Sequence, residues 1–73
     1  MLSFHVRPWF KSQAIQIYCD DAGLATLIKA LQEVRDAGHL HLRAPSCGGT
    51  ELSDVTPFGE PAIAQVIITT GGD

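Results

Sequence analysis

The chain is short of several things, and each shortage argues against a class of protein. It has no basic run: Lys and Arg number 5 against 8 acidic residues, for a net charge of −3. A nucleic-acid groove normally shows a clustered cationic footprint, so that class is disfavoured. No apolar run approaches the roughly 20 residues a membrane helix needs. The start also lacks the basic, long apolar and small-residue segments of a secretory signal. A cytoplasmic location is the expectation. The 2 cysteines, Cys19 and Cys47, have no CxxC spacing. Without an export signal, reduced thiols are expected rather than a disulfide. A length of 73 residues allows one domain, 1–73, with a small core. Such a chain buries about 60% of its unfolded surface, a thin stability margin unless it oligomerises.

What is there is organised around Ile15 to Leu42. Ala14-Ile15-Gln16-Ile17-Tyr18-Cys19 alternates, with Ile15, Ile17 and Cys19 on one face and Gln16 and Tyr18 on the other. Period-2 alternation of β-branched and aromatic residues predicts a half-buried strand, with Cys19 inside it. Asp20-Asp21 ends the strand and supplies a helix N-cap, where a carboxylate accepts orphan backbone N–H groups. Leu24, Leu27, Ile28, Leu31 and Val34 then recur at three- and four-residue steps, one apolar stripe on a helix. Gly38 stands where a left-handed C-terminal cap is expected. His39-Leu40-His41-Leu42-Arg43 alternates again. With Leu40 and Leu42 toward the helix, His39, His41 and Arg43 must share the opposite face.

The flanks are read the same way. Leu2, Phe4 and Val6 alternate with Ser3, His5 and Arg7, which predicts a first strand stopped by Pro8. Pro8 to Gln13 would connect it, as a hairpin, to the strand at Ala14, with Trp9 and Phe10 covering the sheet edge. Ala44 to Pro61 reads as loop, with a short strand conceivable at Thr50–Ser53. A loop that long in so small a domain is often functional. Ala62 to Thr70 reads as the strongest strand, apolar on both faces, with Ile63 and Ile67 on one and Val66 and Ile68 on the other. Such a strand is usually central and covered twice. One helix covers one face only, so the open face is expected to meet a second copy or a partner protein. The fold class expected is α+β: two layers, an antiparallel or mixed sheet of about four strands with one long helix on one face. Its strand–helix–strand unit would be right-handed if the strands were parallel.

Three groups of residues invite chemistry. His39-x-His41 has metal-ligand spacing on a strand, but zinc needs at least three protein ligands, and only His5, Cys47, Glu51 and Asp54 offer themselves. A polar face that is solvated or hydrogen-bonded across an interface competes with that reading. Cys47, in Pro45-Ser46-Cys47-Gly48-Gly49, would need a base, an orienting group and a pocket to act as a nucleophile, so an inert loop thiol is preferred. Gly48-Gly49-Thr50 lacks the spacing and lysine of a phosphate loop. No cofactor and no catalytic residue is expected. Gly71-Gly72, after hairpin, helix and two strands, resembles the tails of β-grasp sulfur carriers and ubiquitin-like modifiers, whose C-terminal glycine carboxylate is adenylated. Here Asp73 follows, so a role for Gly72 would require its removal, and a simple tail is the competing reading.

A second resemblance covers more of the chain, roughly 14–70. Ile15-Gln16-Ile17-Tyr18, Asp21-Ala22-Gly23-Leu24, Leu27 with Ala30-Leu31, and Gly38-His39-Leu40-His41-Leu42 resemble the immunity proteins of bacterial polymorphic toxin systems, in the family numbered thirty-two. Gly48-Gly49-Thr50-Glu51-Leu52-Ser53 and Val66-Ile67-Ile68 fit the same pattern, while Met1–Gln13 lies outside it. The resemblance implies a non-enzymatic cytoplasmic protein, encoded beside a toxin, that binds and blocks the toxin domain. Face geometry, rather than the family, selects His39, His41, Arg43, Glu51, Ser53 and Tyr18 as partner-contacting residues. The partners expected are a cognate toxin and, through the open sheet face, a second copy in a homodimer.

Overall fold

The computed structural model describes residues 1–71, apart from the side chain of Trp9. The elements run β1 (Leu2–Trp9), β2 (Ser12–Cys19), α1 (Asp21–Ala37), β3 (His39–Arg43) and β4 (Gln65–Thr69), with a 3-10 turn at Pro45–Cys47. The α+β class is as expected; the single sheet is not. β1 pairs antiparallel with β2, and β3 pairs antiparallel with β4, as two separate two-stranded sheets. The reason lies at the outer edge of β1. Ser53 N–H donates to Leu2 O and Ile63 N–H to Phe4 O, each at 2.8 Å, so loop backbone holds the place a third strand would need. Thr50–Ser53 makes no strand; it bends, and Leu52 N–H reaches Arg43 O at 3.2 Å. Because β2 and β3 lie in different sheets, the handedness rule for parallel crossovers does not apply.

Pro8 does not stop the first strand. Antiparallel strands turn successive N–H and C=O pairs to alternate sides. Leu2 and Phe4 bond outward, so Pro8, two pairs further along the same parity, also faces away from β2 and its missing N–H costs the ladder nothing. Pro8 pairs with Gln13 and Trp9 with Ser12, leaving Phe10 and Lys11 as the turn. Phe10 adopts φ 50° there and is 95% exposed, so it covers no edge. The side chain of Trp9, given the same covering role above, lies outside the described residues.

The helix begins and ends as its capping residues dictate. Asp20 Oδ1 accepts from Gly23 N–H at 2.8 Å and also meets the Met1 ammonium. Gly38, at φ 85°, turns its N–H back to Val34 O at 2.8 Å. The buried line is narrower than the stripe read above. Gly23, Ala30 and Val34 are buried and Leu27 is packed beside them, while Leu24, Ile28 and Leu31 stay 45–52% exposed. Two small sheets offer a floor only as wide as that line. Gly23 marks how closely the helix sits: an added Cβ would lie 1.7 Å from Met1 O and 3.2 Å from Cys19 Cβ.

Under the helix the core consists of Leu2, Phe4, Ala30, Leu42, Ala44 and Leu52, with Leu27, Leu40, Ile63, Ala64, Val66 and Ile68 packed against it. β2 lies beyond its reach, so Cys19, expected inside, is exposed, as are Ile15 at 66% and Ile17 at 45%. β4 is shorter than the Ala62–Thr70 strand expected and is not central. Its inner residues Val66 and Ile68 face the core, but Ile67 on the other side is 59% exposed. Ala62–Ala64 instead joins the two halves, with Ala44 N–H donating to Ala64 O at 2.8 Å. Among the described residues no helix is long and apolar enough to cross a membrane. Gly72 and Asp73, on which the adenylated-tail reading depends, lie outside the described residues.

Two expectations follow from these contacts. Leu42→Ala, at a site 2% exposed, should cost about 2–5 kcal/mol in urea unfolding, a large share of a small domain's stability. Leu31→Ala, 52% exposed, should cost far less. The Asp20 carboxyl is held below its ordinary 3.8 by the Met1 ammonium and then by the Gly23 N–H. A depressed folded pKa adds stability that is full above the unfolded value and is lost as pH falls through the lowered one. Asp20→Ala should therefore melt below the wild type at about pH 7, and the two melting temperatures should converge in strong acid.

Candidate functional site

The residues selected from the sequence fall into separate places. Strand alternation puts His39, His41 and Arg43 together on the side of β3 away from α1, as expected, opposite Thr69, Ile67 and Gln65 of β4. The two imidazoles meet edge to face with ring centroids 5.8 Å apart. His41 Nδ1 accepts from Gln65 Nε2 at 2.9 Å and from an Arg43 guanidinium N–H at 3.2 Å. With both neighbours acting as donors, Nδ1 is the bare acceptor and the ring proton of neutral His41 belongs on Nε2. His39 and Arg43 are exposed and His41 is half-buried. The face is a pre-arranged row of donors beside an exposed Ile67.

Glu51 borders this row. It lines an open cleft of about 250 Å³ with Thr26, Lys29, Glu33, Leu40 and His41, where one flank of α1 passes β3. Its carboxylate accepts from Thr50 N–H at 2.7 Å, which with its own backbone N–H, the Thr50 hydroxyl and the Arg43 charge holds the carboxyl below its usual range. Glu51 is therefore a fixed negative charge at neutral pH. Ser53 is elsewhere, its backbone bonded to the start of β1.

Tyr18 belongs to a second cluster that sequence reasoning missed. On the face of β1 and β2 away from the helix, the Tyr18 hydroxyl accepts from an Arg7 guanidinium N–H at 3.1 Å and its ring meets Phe58 edge to face at 5.6 Å. His5 Nδ1–H donates to Pro61 O at 2.9 Å, and Glu60 approaches both His5 Nε2, at 3.5 Å, and Arg7, at 3.8 Å. The Val55–Pro61 turn is thereby fastened over the hairpin. Thr56, 3% exposed, anchors that turn by accepting from Phe58 N–H and Glu60 N–H, each at 3.2 Å, while its own N–H donates to Glu60 O at 2.8 Å. The Ala44–Pro61 segment is loop without being loose, since Ser46 also donates to Asp54 through both its N–H and its hydroxyl. The signal available in the sequence was Thr56-Pro57-Phe58-Gly59-Glu60, a turn with a hydroxyl at its start.

The metal reading finds no third ligand. His5 is engaged with Pro61 and Glu60, Asp54 with Ser46, and Glu51 with Thr50. Among the described residues no three His, Cys, Asp or Glu side chains come together around a point. Cys47 is an exposed free thiol at the end of the 3-10 turn, with no base bonded to it among the described residues, and Cys19 is likewise free. No family model, curated protein or solved structure matches this chain.

Removing the Thr56 hydroxyl tests how firmly the turn is held. Thr56→Val strands the Phe58 and Glu60 N–H groups and should cost about 1–3 kcal/mol. Amide exchange at those two positions should accelerate before any change at Leu40 or Leu42.

Proposed function

We propose that this chain is a non-enzymatic binding protein of the immunity type, which neutralises a cognate toxin domain by occluding it. The observation that carries the reading is the row His39, His41 and Arg43. Its polar groups are oriented by Gln65 and by one another, with His39 and Arg43 exposed, His41 half-buried and Ile67 exposed beside them. Such a mixture of an apolar centre with imidazole and guanidinium donors is the composition of a protein-contact face. The neighbouring cleft is open and smaller than the roughly 300–1,000 Å³ of most small-molecule sites, which favours a surface partner over a substrate. The resemblance of Ile15–Leu42 to the immunity family supplies the class of partner. Arg43 and the histidines would meet acidic or carbonyl-rich patches on it, with Glu51 set for a basic group at the rim. Tyr18, packed on Phe58 and bonded to Arg7, serves the fold of the first hairpin in this reading.

The test begins with a tagged pull-down from the native cells and mass spectrometry of what co-purifies. Stoichiometric recovery of one toxin-bearing protein is the expected result; recovery of an adenylating enzyme or sulfur transferase would overturn the reading in favour of a carrier. With the partner in hand, His39→Ala with His41→Ala should weaken binding by about tenfold or more, as loss of a contact pair does. The melting temperature should stay unchanged. Unaltered affinity would remove this face from the interface.

A further inference from the structure

The outer edge of β2 carries no neighbouring strand. Parity fixes which groups it presents. Leu2 and Phe4 bond away from β2, so Ser3, His5 and Arg7 bond toward it, to their partners Tyr18, Gln16 and Ala14. The N–H and C=O groups of Gln13, Ile15, Ile17 and Cys19 therefore point outward. Among the described residues no backbone group outside the β1–β2 pair bonds to them. Natural edges are usually blunted by charge, proline or a bulge. This one runs Ser12–Cys19 without a charged residue or a proline, and it pairs with β1 residue for residue, without a bulge. Its side chains Ile15 and Ile17 are exposed on the face where the helix starts.

We infer that this edge joins a second copy of the chain, β2 against β2 antiparallel, about a two-fold axis at Gln16. The register is set by three independent features. Hydrogen-bonded pairs must form between outward-pointing residues, and a centre at Gln16 matches Ile15 with Ile17 of the other copy and Gln13 with Cys19, all of them outward. The same register merges both isoleucine pairs into one apolar strip, on a single face of a continuous four-stranded sheet β1-β2-β2-β1. It also carries Lys11, just before one end of the strand, beside Asp20 and Asp21, just after the opposite end in the partner copy. Asp20 is already engaged by the Met1 ammonium, so the complementary pair at each end of the junction is Lys11 with Asp21, twice over. A foreign strand would satisfy the backbone equally well, but it would have no reason to match this charge placement. The junction leaves the His39–His41–Arg43 row open, and it does not depend on the toxin reading.

The experiment is sedimentation equilibrium of the purified full chain from about 1 to about 200 μM, a range that captures interfaces of modest area. A monomer–dimer equilibrium is expected. Gln16 is exposed and faces its own copy at the axis, so Gln16→Lys sets like charges opposite each other and should weaken the dimer by about tenfold or more. Gln16→Glu should do the same. An equimolar mixture of the two variants should restore association, while circular dichroism shows each variant folded. A chain that stays monomeric throughout overturns the inference. So does a dimer indifferent to both substitutions, which would place the contact elsewhere, or a mixture that fails to restore it.

Discussion

Two backbone hydrogen bonds, from Ser53 to Leu2 and from Ile63 to Phe4, decide what kind of molecule this is. They occupy the outer edge of β1, the edge of the N-terminal hairpin that lies toward the core and the second sheet. The fold is consequently two small sheets fastened by loop rather than one sheet continued by strand. The helix can span both because its buried line is slim: Gly23 where it touches the first hairpin, Ala30 and Val34 over the rest of the core. Small residues let the axis come close, and closeness is what lets one helix serve two floors.

That arrangement explains where the chain's apolar surplus goes. A single four-stranded floor would have covered Ile15, Ile17, Leu24, Ile28 and Leu31; two narrow ones leave all five partly in water. The polar residues are divided in the same way. His39, His41 and Arg43 face outward from the second sheet, while His5, Arg7, Tyr18 and Glu60 are spent pinning the Val55–Pro61 turn to the first. Residues of similar chemistry thus do different work, contact in one place and cohesion in the other.

Much of this was legible from local pattern, and the rest was not, for a physical reason. The helix from Asp21 to Ala37 with its Asp20 and Gly38 caps, the β1–β2 hairpin and the facing of His39 and His41 all depend on periods and caps that act within a few residues. Sheet membership depends on which edge meets which, across about fifty residues, and alternation carries no record of that. The apolar alternation at Ile15 and Ile17 was therefore read as buried, when it lies on the helix side of the hairpin but beyond the reach of the core. The doubly apolar β4 was likewise read as central. Pro8 misled because its effect depends on parity, which only the partner strand reveals. The Thr56 turn was missed because a buried hydroxyl accepting two N–H groups looks in sequence like any other loop threonine.

The stitching bonds carry a kinetic consequence as well. Hairpin β1–β2 and helix α1 are assembled from neighbours in sequence, but Leu2–Ser53 and Phe4–Ile63 close a span of more than two thirds of the chain. Closing a loop of about fifty residues costs on the order of 3–4 kcal/mol of chain entropy before any contact rewards it. The two halves can therefore hold their local shapes well before they are joined. Joining them is the slow event, and it waits until residue 63 has been made.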